Sequence, residues 1–206
     1  MAGGLRPVAD FLAFGDPAFR GGSRVAMGDV NRDGAADLIV GAGVGGGPRV
    51  AVYDGASLAS GSPARLVPDF FALDPSLRSG VFVTAADLDG DGFADVIYST
   101  GNTGGPRVRV VSGAVLTSHP GQDAYYLPAL ADFFALDPAD RSGLRIAARD
   151  LDGDGKAELV AANGSPSNPQ ARVITLADMT SSTGPTSPVF TPFAGLVLTP
   201  DGVYVG

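Results

Sequence analysis

Eleven of the chain's 22 acidic residues sit in three nine-residue stretches. They are Asp29-Val30-Asn31-Arg32-Asp33-Gly34-Ala35-Ala36-Asp37, Asp87-Leu88-Asp89-Gly90-Asp91-Gly92-Phe93-Ala94-Asp95 and Asp150-Leu151-Asp152-Gly153-Asp154-Gly155-Lys156-Ala157-Glu158. Positions 1, 3 and 5 of each carry a side-chain oxygen, position 6 is glycine, and position 9 closes the loop with a carboxylate. Hard oxygen donors at alternate positions around a glycine turn are what a seven-coordinate calcium ion requires. Position 7 (Ala35, Phe93, Lys156) is expected to offer its backbone carbonyl, which leaves its side chain free to vary. The expected ligands are therefore Asp29, Asn31, Asp33, Ala35 and Asp37; Asp87, Asp89, Asp91, Phe93 and Asp95; and Asp150, Asp152, Asp154, Lys156 and Glu158. That makes up to three Ca²⁺, one per loop.

Other readings of these loops fit less well. An EF-hand needs glutamate at position 12, between helices; here position 12 is Val40, Tyr98 and Ala161, each inside a strand-like run. Magnesium rarely takes an all-protein cage. A metal-free Asp/Gly turn would crowd three or four anions within a few ångströms, which is unfavourable without a cation. Three Ca²⁺ would move the formal charge from −8 to about −2.

The elements that hold these loops repeat. Asp10-Phe11-Leu12-Ala13, Asp69-Phe70-Phe71-Ala72 and Asp132-Phe133-Phe134-Ala135 are near copies, 59 and 63 residues apart. Each is followed by a proline (Pro17, Pro75, Pro138), then a glycine that opens a short apolar strand leading into an acidic loop. A second strand leaves each loop (Leu38–Val40, Val96–Tyr98, Leu159–Ala161), a glycine-rich turn follows, and a third strand comes after it (Val50–Tyr53, Val108–Val111, Val173–Leu176). With the Asp-Phe-Phe-Ala segment as the fourth, each unit of about 60 residues reads as four short antiparallel strands, A to D, with no helical period between them. This is an all-β chain with the blade pattern of a β-propeller; a solenoid of β-coils would need a shorter repeat.

We read residues 1–206 as a single domain, with blades at about 22–79, 80–142 and 143–201. An N-terminal D-strand segment (6–17) precedes them, and an A strand (202–206) without an acidic loop follows. Phe193-Ala194 and Val203-Tyr204-Val205 match Phe71-Ala72 and Val81-Phe82-Val83 without a gap. Three full repeats plus one D–A pair do not make an obviously closed ring. Pairing of the two ends, a second copy or further blades must protect the outer edges.

The loops, their hairpin setting and the trailing Gly-Gly-Pro-Arg-Val resemble the FG-GAP/VCBS repeat family, which includes the integrin α-subunit propeller. Gly28 to Leu38 carries the signature Gly-Asp-x-Asn-x-Asp-Gly-x-x-Asp-Leu. The resemblance implies a calcium-binding propeller with six to eight blades in a full ring. Repeat three departs from the pattern at Glu158 and at its turn, Asn163 to Pro169, which makes the third loop the weakest match.

Composition agrees and excludes other classes. Thirty glycines and sixteen prolines suit many tight turns. A net charge of −8 without a Lys/Arg cluster argues against nucleic acid as a partner. No cysteine is present, so thiolate chemistry is excluded. No apolar run reaches the roughly 20 residues of a membrane span, and the start of the chain lacks the apolar stretch of a signal peptide. Either the protein is cytoplasmic or this is a mature or excised piece of an exported protein. Because calcium sites of this type suit the millimolar calcium outside cells, an extracellular or cell-surface parent is favoured.

Catalysis is not expected. His119, the lone histidine, has no triad arrangement and reads as a solvated loop residue. Gly41 to Gly46 mimics a dinucleotide fingerprint, but Pro48-Arg49-Val50 starts a strand where that motif needs a helix. Arg49, Arg107 and Arg172 recur after the glycine turns and are expected to pair blades, with Asp10, Asp69 or Asp132 as candidate partners. The paired phenylalanines read as packing between blades. Tyr125 and Tyr126 could stack on a sugar, or Tyr126 could begin a D strand. The function expected is therefore adhesion or protein interaction. A calcium-dependent lectin is the alternative, and an accessory domain of a polysaccharide-degrading enzyme comes last.

Overall fold

A computed structural model of the protein describes residues 8–165 and 167–192. The expected C-terminal D–A pair (Phe193-Ala194 and Val203 to Val205) lies outside them.

The described chain is all-β, in three antiparallel sheets. The first holds β1 (Ser23–Gly28), β2 (Asp37–Ala42), β3 (Arg49–Tyr53) and β4 (Arg65–Phe71). The second holds β5 (Val81–Ala86), β6 (Asp95–Thr100), β7 (Arg107–Val111) and β8 (Ala131–Phe134). The third holds β9 (Leu144–Arg149), β10 (Glu158–Asn163) and β11 (Ala171–Ile174). Each is a meander in chain order, and an isolated antiparallel bridge from Ala171 to Phe190 starts a fourth row on the third sheet. The described residues form no closed ring.

Each acidic loop joins the first two strands of its sheet. The register runs Gly28↔Asp37, Ala86↔Asp95 and Arg149↔Glu158, so position 9 of each loop is the first residue of the second strand. That strand is central and covered on both faces. This is why it reads as an unbroken apolar run: every residue of β6 is buried.

The first strands β1, β5 and β9 lie side by side, and the sheets pack face on face. Ile39, Val50, Val52 and Phe70 of sheet one meet Val81, Val83, Val96 and Tyr98 of sheet two. Val108, Val110 and Phe133 meet Leu144, Ile146 and Leu159 in the same way. Each fully buried Val or Ile contributes about 1.5–3 kcal/mol. One phenylalanine of each pair enters these layers, as expected: Phe70 and Phe133 are buried, whereas Phe134 is exposed. The hairpins come so close that a Cβ on Gly28 would stand 2.9 Å from the Cβ atoms of Ala85 and Ala94.

Two expectations are corrected. Short helices follow each third strand: α1 (Gly55–Ala59), α2 (Gly113–Ser118) and α3 (Leu176–Met179), capped by the side chains of Asp54, Ser112 and Thr175. At four to six residues they are too short to show a helical period. The Asp10–Ala13 segment is not a strand but turns and irregular backbone. It nonetheless keeps the packing role of its counterparts. Phe11 meets Tyr53 edge-on at 4.7 Å, as Phe70 meets Tyr98 at 6.0 Å.

Candidate metal centre

The opening aspartate of each loop organises the turn. Both its carboxylate oxygens accept backbone N–H groups: Asp29 from Asp33 and Gly34, Asp87 from Gly90 and Gly92, Asp150 from Gly153 and Gly155. Position 3 accepts from the N–H of position 5, and position 5 from that of position 7 (Ala35, Phe93, Lys156). The turn closes only with positive φ at position 6, where Gly34, Gly92 and Gly155 have φ of 89°, 86° and 90°.

Position 9 is buried and reaches back to the N–H of position 2. Val30 donates to Asp37 at 2.8 Å, Leu88 to Asp95 at 2.9 Å, and Leu151 to Glu158 at 2.9 Å. The extra methylene of Glu158 does not prevent the contact. Asp37 also accepts from Gly55 N–H at 2.9 Å, which ties the loop to the start of α1. The matching oxygen of Asp95, Oδ1, is buried without a partner. Burial, then the charges of Asp89, Asp91 and Asp87, push Asp95 up to about 7, against the opposing bond from Leu88. Burial also raises Asp37, while the Ala35 N–H and the Asn31 amide hold Asp33 below the usual carboxylate range.

In loops two and three the acids converge. One oxygen each of Asp87, Asp89 and Asp95 lie within 4.8 Å of one another, and the same holds for Asp150, Asp152 and Glu158. Asp91 and Asp154, at position 5, stand outside these groups and remain exposed. Loop one forms no such trio of acids among the described residues. Its position 3 is Asn31, whose amide donates to Asp33 at 2.8 Å. The all-oxygen donor set fits a hard divalent cation. Asp87, Asp89 and Asp95 would hold it in loop two, and Asp150, Asp152 and Glu158 in loop three. The third loop, the weakest match by sequence, thus gathers its acids as loop two does.

The loops are also joined to one another. Ala94 N–H donates to the Asp29 carbonyl at 2.8 Å, and Ala157 N–H to that of Asp87 at 2.9 Å. Two of the position 7 side chains cross the same gap. Phe93 lies beneath the Arg32 guanidinium, 5.7 Å from ring centre, and Lys156 packs over Gly90.

The recurring arginines pair within sheets rather than between them. Arg49 and Arg65 hold Asp69, at 2.5 and 2.7 Å, and Arg107 and Arg109 hold Asp132, at 2.7 and 2.5 Å. Arg172 instead donates to the Pro185 carbonyl. Arg65 and Arg109 escaped the sequence reading because neither recurs across the repeats. His119 is exposed at the end of α2, its Nδ1 2.9 Å from the Val115 carbonyl oxygen. Tyr126 ends a 3₁₀ turn, five residues before β8, and does not begin the strand. Gly41 to Gly46 covers the end of β2 and the start of the turn that leads to β3.

Residues 29–98, from the first acid of loop one through loop two into β6, match the FG-GAP-like repeat family. No curated protein matches the chain. Among the described residues no helix is long and apolar enough to cross a membrane.

Proposed function

We propose that the chain is a calcium-stabilised, non-catalytic propeller-type domain that mediates adhesion or protein interaction. The observation that carries this reading is the convergence of Asp87, Asp89 and Asp95, one carboxylate oxygen of each within 4.8 Å of the others. A cation there neutralises anions that burial has made costly, and it ties the hairpin's two strands to its turn. The metal is structural in this reading: it binds the folded chain and stabilises it by mass action. Extracellular sites of this kind bind at roughly 10⁻⁴–10⁻³ M, so the sites fill outside a cell and stay empty in cytosol. The parent protein is accordingly placed outside the cell or on its surface.

The test is thermal melting in calcium and in EGTA. Calcium at 100-fold above its Kd adds about 2.7 kcal/mol per site, a rise in Tm of roughly 5–10 °C. Asp95→Asn should remove at least half of that rise. An identical Tm in both buffers would sink the metal reading.

One observation favours carbohydrate as a second partner class. Tyr126 is exposed beside Tyr125, ring centres 5.0 Å apart, an aromatic surface on which a sugar could stack. A glycan array read with and without calcium decides it; no calcium-dependent hit discards the lectin reading.

A further inference from the structure

The three repeats bury matching positions against one another, and at the two ends of the described stack those positions are exposed. Position 2 of the acidic loop is Val30, Leu88 and Leu151. The first two are 0% exposed beneath the next sheet, whereas Leu151 is 53% exposed. On the opposite side, the third residue of each sheet's first strand is Val25, Val83 and Ile146. The last two are 7% exposed beneath the preceding sheet, whereas Val25 is 64% exposed. The backbone repeats the pattern. Ala94 and Ala157 give their N–H groups to the preceding loop. The Ala36 N–H and the Asp150 carbonyl, their counterparts at the two ends, take part in no hydrogen bond among the described residues.

We propose that the repeat-three face of one copy docks on the repeat-one face of a second copy, head to tail, through the contact that already joins the repeats. This rests on repeat packing and not on the calcium reading. Leu151, Val160 and Val173 present what Leu88, Ile97 and Val108 present to sheet three, and Val25 and Met27 receive it as Ile146 and Ala148 do. Gly153 and Ala35 meet where Gly90 meets Lys156, and nothing stands within 4 Å of a Cβ placed on Gly153, so the small pair fits without collision. The second copy is the occupant because its bare face continues an interface the chain builds twice. A head-to-tail contact either closes or extends indefinitely. An open string leaves a bare face at each end, whereas two copies closing on each other leave none.

Light scattering after size-exclusion chromatography of the full chain tests this. The expected mass is twice the 20.7 kDa of one chain. Val25→Asp and Leu151→Asp each place a carboxylate in the contact at an already exposed position and should each give a one-chain mass. Far-UV circular dichroism should be unchanged and the melt should stay cooperative, showing that both variants fold, with Tm lower only by what the lost contact supplied. Mixing the two variants supplies one intact face of each kind and should restore the two-chain mass. Wild type at one-chain mass overturns the proposal, as does a two-chain mass that neither substitution disturbs or a mixture that stays at one-chain mass. A ladder of larger masses overturns closure by two copies. A one-chain wild type destabilised by Leu151→Asp assigns the face to another segment of the same chain, and overturns it too.

Discussion

At the scale of single residues, each acidic loop depends on one conformation and one buried charge. Gly155 sits at φ 90° with open space where a Cβ would go, so a side chain there meets backbone strain and no collision. Gly155→Ala should cost about 1–2 kcal/mol and lower Tm by roughly 2–6 °C in a differential scan. A neutral result would mean that the loop relaxes around position 6. The gathering of acids in loops two and three was legible in the sequence as a spacing of carboxylates around a glycine. The contacts of position 9 were not. Nothing in Asp37 or Asp95 announces a bond to the N–H of position 2, since that bond appears only once the hairpin register brings position 9 beneath the loop. The orphaned Oδ1 of Asp95 is less visible still. It follows from burial by a neighbouring sheet, a property of the assembled repeats.

At the scale of elements, the first two sheets are held across their third and fourth strands by carboxylates that each serve two arginines. Asp132 lies between Arg107 and Arg109. Burial pushes its carboxyl up, but the bonds and charges of the two arginines outweigh burial and hold it below 3.8. The depressed folded value sets the sign. The stabilisation is fully present above 3.8 and is lost as pH falls through the folded value. Acid melts should therefore show this contribution disappearing only below about pH 4. Asp132→Asn should remove it, leaving Arg109 buried with carbonyl partners alone at a cost of roughly 3 kcal/mol. A variant as stable as wild type at neutral pH would exclude the pair as a stabilising contact. The strands themselves were readable from short apolar runs between glycines and prolines. The one-turn helices were not, although Asp54, Ser112 and Thr175 are ordinary capping residues. Asp10–Ala13 misled for a different reason. Its sequence records a packing role, which the structure keeps, while strand geometry also needs a paired edge, and no described strand pairs with this segment.

At the scale of the whole molecule, the repeat was visible in sequence as spacing, and the side-by-side packing of β1, β5 and β9 turns that spacing into a stack. How the stack ends was not legible, because it depends on what meets two outer faces that the described repeats leave exposed. The joints between loops carry a further consequence. The Ala94 N–H takes the carbonyl of Asp29, and the Ala157 N–H takes that of Asp87, so the residue that opens one site is hydrogen-bonded to the residue before the last ligand of the next. Filling one loop holds still a donor that the next must otherwise order for itself, so part of the entropy of the second event is already spent. Cation uptake along the stack should then be cooperative, with a Hill coefficient above one in a calcium titration. Asp89→Ala, which touches only the second loop, should weaken binding at the third. Independent, unchanged affinity at loop three would show that the sites fill as strangers; a shared shift would make the row of loops a single sensor of calcium concentration.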